Sequence, residues 1–97
     1  MQPDSLGLLL DVRDAARFIE EDTADITYDE FQRDRRLRQA VLYNFMIIGE
    51  AINRLRHDNP EIADRISAVP QIVGLRNTLI HGYQAIDYPT VWHAIHM

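Results

Sequence analysis

Between Phe31 and Leu55 the apolar residues Phe31, Val41, Phe45, Ile48, Ile52 and Leu55 recur at offsets of three, four and seven. That period draws a single stripe along an α-helix and cannot be laid on one face of a strand. Thr27-Tyr-Asp-Glu30 just before it has the form of a capping box, in which hydroxyl and carboxylate each satisfy an orphan backbone amide. From that box one long helix is expected to run to about Arg56 or His57, where His57-Asp-Asn-Pro60 closes it, because proline disfavours helix in the residue before it. Roughly 28 residues at 1.5 Å each span about 42 Å. That is long for a chain of 97 residues, so part of the helix surface is expected to face a second subunit.

The rest of the chain also reads as helix. A first helix is expected over about Leu6 to Glu21, with Ser5 as N-cap and Leu6, Leu9, Leu10, Ala16 and Ile19 near helical spacing. The polar stretch Glu21–Asp25 breaks it. A short piece from Pro60 to about Ile66 takes Asn59 as its cap, and a further helix runs from Pro70-Gln71 to about Ile80. Gly82 is placed to end that helix through a left-handed residue. Asp87-Tyr-Pro89 opens a last helix of about ten residues, with Trp92 and Ile95 facing inward. No strand and no repeat is legible. The expectation is a single all-α domain over residues 1–97, an antiparallel bundle of four to five helices with a shortened last one.

Apolar residues make up 46% of the chain, enough for a core, and the absence of cysteine removes disulfide frameworks, zinc knuckles and thiol nucleophiles. The uncharged run Gln39–Gly49 is about half the length of a membrane span, and no basic leader precedes the first apolar run. A cytoplasmic protein with no membrane partner is therefore expected. The net charge of −5 argues against a protein that coats nucleic acid broadly. It leaves room for one that meets RNA in a local basic cleft, since the field follows the distribution of charge.

The chemistry concentrates in Gly74-Leu-Arg-Asn-Thr-Leu-Ile-His-Gly-Tyr83. Arginine offers a fixed fork of donors suited to phosphate. Histidine can take and give a proton near neutral pH. Arg76 and His81 are therefore sufficient for RNA cleavage without a metal or cofactor: the imidazole works on a ribose 2′-hydroxyl and the guanidinium stabilises charge on the phosphoryl oxygens. Asn77 and His81 share a helix face, whereas Arg76 and His81, five apart, stand roughly 140° from one another. Either the helix end near Gly82 re-aims the imidazole, or the two groups complete a site with a second copy across a symmetric dimer.

Arg76-Asn-Thr-Leu-Ile-His81 resembles the arginine–x4–6–histidine signature of HEPN ribonucleases, and its extension to Tyr83 resembles the narrower HepT-like (DUF86) branch. Phe31, Asp34, Ala40-Val41, Ile47-Ile48-Gly49-Glu50-Ala51, Pro60-Glu61-Ile62, Gly74-Leu75-Arg76-Asn77 and Asp87 with Val91-Trp92 fall in the family's order. Two departures stand out. Where the family carries a tryptophan after Pro-Glu-Ile, this chain reads Ala63-Asp-Arg-Ile, and it has less sequence after Val-Trp. The resemblance implies a helical homodimer that cleaves RNA without a metal, as the toxin of a type VII toxin–antitoxin pair. It also implies a cognate minimal nucleotidyltransferase as antitoxin, which silences the toxin by transferring AMP to the motif tyrosine, here Tyr83. The added negative charge two residues from His81 would block the phosphate site. The alternative is a catalytically inactive helical partner that binds and regulates the nucleotidyltransferase.

Other positions carry weaker signals. Glu50 is a candidate partner for the motif arginine or for substrate, with a solvated helix glutamate as the plain alternative, and Asp34 is similar. Arg33-Asp-Arg-Arg-Leu-Arg38 holds four arginines in six residues, either an RNA-phosphate contact or a solvated helix face. His93 and His96 are three apart with no carboxylate to complete a metal site, so none is assigned there or at His57.

Overall fold

The computed structural model describes residues 3–66, 69–82, 84 and 86–96, without the side chains of Pro3 and Val69. Among them the chain is helical throughout, without a strand: α1 (Pro3–Thr23), α2 (Tyr28–Arg33), α3 (Arg35–Asp58), α4 (Pro60–Ala63), α5 (Val69–His81) and α6 (Tyr88–Ile95). The 24 residues of α3 amount to about 36 Å and account for most of the longest dimension, 41 Å.

The apolar stripe of α3 is the spine of the core. Val41, Phe45, Ile48, Ile52 and Leu55 are all buried, as is Phe31 of α2. α1 lies against the stripe in the opposite sense. Leu8 near its start clusters with Ala51, Leu55 and Ala63, whereas Ala15 and Ile19 join Phe31, Val41 and Phe45. The buried face of α1 is Leu8, Ala15 and Ile19 with Val12 half-buried, one step round from the expected one. Leu6 and Leu10 are exposed instead. The run from Leu6 to Leu10 is apolar on every side of its first turns, so periodicity alone does not choose a face there.

The described residues form six helices rather than the expected four to five, and three local expectations are also corrected. The helix expected from Thr27 to about His57 is two helices, broken at Asp34. There the backbone is extended (φ −98°, ψ 99°); the Asp34 amide donates to the carbonyls of Glu30 and Phe31, and Asp34 Oδ1 accepts from the Leu37 amide at 3.1 Å. An aspartate is among the best N-caps, and here it stops one helix and starts the next. Ser5 is not a cap: α1 begins at Pro3, and the Ser5 hydroxyl is buried with no hydrogen-bond partner among the described residues. Gly82 does end α5, its amide donating to the Thr78 carbonyl at 2.8 Å, but no described glycine has a positive φ. The Thr27–Glu30 capping box forms as expected, with Thr27 Oγ1 accepting from the Glu30 amide at 3.1 Å.

The break at Asp34 lets α2 fold back beneath α6. Phe31, fully buried, meets Trp92 at 5.3 Å between ring centroids and Tyr88 at 6.4 Å; Trp92 also meets Tyr28 at 5.9 Å and His96 at 4.6 Å. These tilted and edge-on contacts, with buried Val91, hold α6 on the bundle.

Candidate active site

The site is built where α3 and α5 cross. A Cβ added at Gly49 would lie 2.3 Å from Arg76 Cβ, 2.9 Å from Arg76 Cγ and 3.3 Å from the Ile72 carbonyl. Those atoms stand at the root of the arginine and in the backbone, where nothing can swing aside. Glycine is the residue that lets the helices come this close. The approach sets Arg76 directly over the next residue of α3, Glu50.

Arg76 is clamped there. Its Nε and Nη2 both donate to Glu50 Oε2, at 3.0 and 2.5 Å, and its Nη1 donates to Asn77 Oδ1 at 2.9 Å. The arginine side chain is one-fifth exposed and the glutamate about half. A guanidinium has five N–H groups, so two, one on each terminal nitrogen, have no partner among the described residues and can meet an anion. Solvent screening leaves the pair worth at most about 1 kcal/mol to folding. Its main effect is to fix the direction of the fork.

His81 is the last residue of α5 and is exposed. The helix stays regular through it, so the positions of Arg76 and His81 stand roughly 140° apart round one helix. Glu50, Arg76 and Asn77 are thus brought together within the chain, and His81 lies on another side of the same helix. Tyr83 lies outside the described residues. Of the weaker candidates, Asp34 caps α3 far from this cluster. His96 Nδ1 lies 2.8 Å from the Trp92 carbonyl, and among the described residues no three histidine, aspartate or glutamate side chains gather as a metal site.

Beside Glu50 runs a groove of about 370 Å³ between α1, α3 and α5, lined by Leu8, Tyr43, Met46, Ile47 and Ile80 with Asp11 and Arg54 at its polar edge. Tyr43 and Ile80 are exposed on it. Sequence reasoning did not find this groove, because it needs the α1–α3 and α3–α5 crossings at once. No described helix is long and apolar enough to cross a membrane.

Comparison with known proteins decides the family. The sequence model of the family described as Ribonuclease HepT-like matches residues 12–97. This chain belongs to the HepT-like family. It is 38% identical over 94 residues to "Putative RNase MJ1380" of Methanocaldococcus jannaschii, covering 95% of this chain and 84% of that one. It is 34% identical to "Putative RNase MJ0127" of the same organism (95% and 75% covered), and 32% identical to "Probable ribonuclease HepT" of Thermococcus cleftensis (90% and 78% covered). No solved structure matches. The HepT-like match takes in all of α3 and α5, and with them Gly49, Glu50, Arg76, Asn77 and His81.

Proposed function

We propose that this chain is a metal-independent endoribonuclease, the toxin of a toxin–antitoxin pair, with Arg76 and His81 as its catalytic groups. The observation that carries the reading is the seating of Arg76: a motif arginine locked by Glu50 and Asn77, with two N–H groups that no described residue takes and that can meet an anion. His81 takes the proton of a ribose 2′-hydroxyl, the 2′-oxygen bonds to the adjacent phosphorus, and the bond from phosphorus to the 5′-oxygen breaks. The leaving oxygen regains a proton from an imidazolium or water. Arg76 stabilises the charge that gathers on the phosphoryl oxygens.

The divergence of Arg76 and His81 on one regular helix supports a homodimer in which each site is completed by a second copy. Exposed Leu6, Leu10, Tyr43 and Ile80, with the groove beside Glu50, are the apolar surface such a dimer would cover. A cytoplasmic setting, a structured RNA such as tRNA as substrate, and silencing by AMP transfer to Tyr83 from a minimal nucleotidyltransferase complete the proposal; these rest on the family resemblance.

The test is cleavage of RNA by purified protein with chelator present. Wild type is expected to cut, and R76A and H81A to lose cutting and growth arrest together; unchanged activity in H81A would refute the assignment. Co-expression with the neighbouring gene product is expected to add about 329 Da per AMP at Tyr83. One observation favours a second reading, an inactive regulator of the nucleotidyltransferase: three of the five Arg76 N–H groups are already engaged within the chain. Stable complex formation by a wild type with no nuclease activity would establish that reading instead.

A further inference from the structure

All ten basic residues of this acidic chain are arginines, and four of them stand at positions 33, 35, 36 and 38. Arg33 is paired with Asp29 at 3.0 Å. Arg38 donates to the Gln32 carbonyl and lies over the Tyr88 ring, 5.3 Å from its centroid, which ties the start of α3 to α6. Arg35 and Arg36 are different: they are the first two residues of α3, both exposed, and among the described residues neither has an ion-pair partner.

The nearby carboxylates each have an oxygen engaged elsewhere. Asp29 holds Arg33, Glu30 completes the capping box, Asp34 accepts from the Leu37 amide, and Asp87 accepts from the Thr90 hydroxyl at 2.6 Å. Two adjacent like charges in the first turn, where the helix macrodipole favours acids and this helix has none, oppose folding. Stability alone does not account for arginines here. A polyanion does.

The surface beside them supplies the second half of the argument. Tyr28, Tyr88 and Trp92 are half-buried, and His96 is exposed against Trp92. Unpaired guanidinia within one helical turn of Arg38, which itself stacks on Tyr88, beside partly exposed aromatic residues are what a single RNA strand takes, its phosphates on the arginines and its bases on the rings. Tyr88 follows His81 by seven residues, so the two are at most about 25 Å apart. One strand held here reaches the catalytic helix.

We propose that Arg35 and Arg36, with the Tyr88–Trp92–His96 ring face, form an exosite that grips a single-stranded segment of the RNA substrate outside the catalytic site. The inference rests on the ribonuclease reading above and adds a separate binding surface to it.

The test measures binding apart from cleavage. In an H81A background of the full chain, fluorescence anisotropy is read with a labelled single-stranded RNA of about 12 nucleotides. R35Q/R36Q is expected to weaken binding about tenfold and to flatten the log–log salt dependence by about 1.4, two phosphate contacts' worth for a single strand. R35K/R36K is expected to keep most of the affinity. The glutamine variant should melt no lower than its parent. Unchanged affinity and salt slope would overturn the exosite, as would normal RNA binding with selective loss of an acidic protein partner. If R35Q/R36Q loses RNA binding while the His81-intact protein never cleaves, the exosite stands and the nuclease reading falls. If cleavage persists and affinity is unchanged, the reverse holds.

Discussion

Two stretches of α3 handle arginine in opposite ways. Near its middle, Gly49 draws α5 so close that Arg76 is seated by backbone geometry and held by Glu50 and Asn77. At its start, Arg35 and Arg36 stand in solvent without partners among the described residues, on a corner fixed by the Asp34 cap and the ring cluster round Phe31. The first arrangement suits a reacting phosphate, where a misplacement of an ångström costs much of the rate. The second suits capture, where reach and charge matter more than aim. On the proposed reading, an acidic chain serves RNA by rationing its arginines between a fixed post and a loose one.

Phe31→Ala tests the corner most severely. Removing a fully buried ring should cost about 3–5 kcal/mol, a loss of some 15 °C or more in Tm for a domain of this size, read by thermal melting. A small shift would mean that the rings do not fix α6. Gly49→Ala attacks the other stretch. A methyl group forced against Arg76 Cβ should cost about 1–3 kcal/mol, and cleavage should fall further than the stability loss explains, compared at a temperature where the variant is folded. Equal activity would show that the close crossing is packing and nothing more.

Asp34→Ala removes the N-cap of α3 and should cost about 1 kcal/mol in chemical denaturation, while kcat per folded molecule stays near wild type because the carboxylate is remote from Arg76. Glu50→Gln has the smallest effect on folding, below about 1 kcal/mol, since the pair is partly solvated. It should still lower kcat on the order of tenfold, because the amide no longer draws the guanidinium into line. A change in KM alone would move Glu50 from positioning Arg76 to contacting RNA.

Much of this was legible before any coordinates. The stripe from Phe31 to Leu55, the Thr27–Glu30 box and the helix carrying Arg76 follow from period and capping chemistry. Asp34 was missed because apolar residues on both sides keep helical spacing through it; the sign was an excellent capping residue three positions before Leu37. The burial face of α1 was missed because its opening turns are apolar all round. Within the site, Glu50 was singled out beside Arg76, but its distance from the arginine depends on a crossing that no local pattern encodes. Gly49 held the clue: a glycine amid the buried turns of a long helix marks a backbone approached closely by another.

A seam closed by a missing side chain cannot be repaired from across it. Were position 49 to acquire a methyl group, the nearest atom in its way would be the Cβ of Arg76, which only glycine lacks, so the compensating change at that position deletes the guanidinium. The two positions are thus interlocked by steric exclusion rather than by attraction. Suppressors selected against Gly49→Ala should restore folding by shifting α5 bodily, at sites such as Ile72 and Val73, and seldom restore turnover.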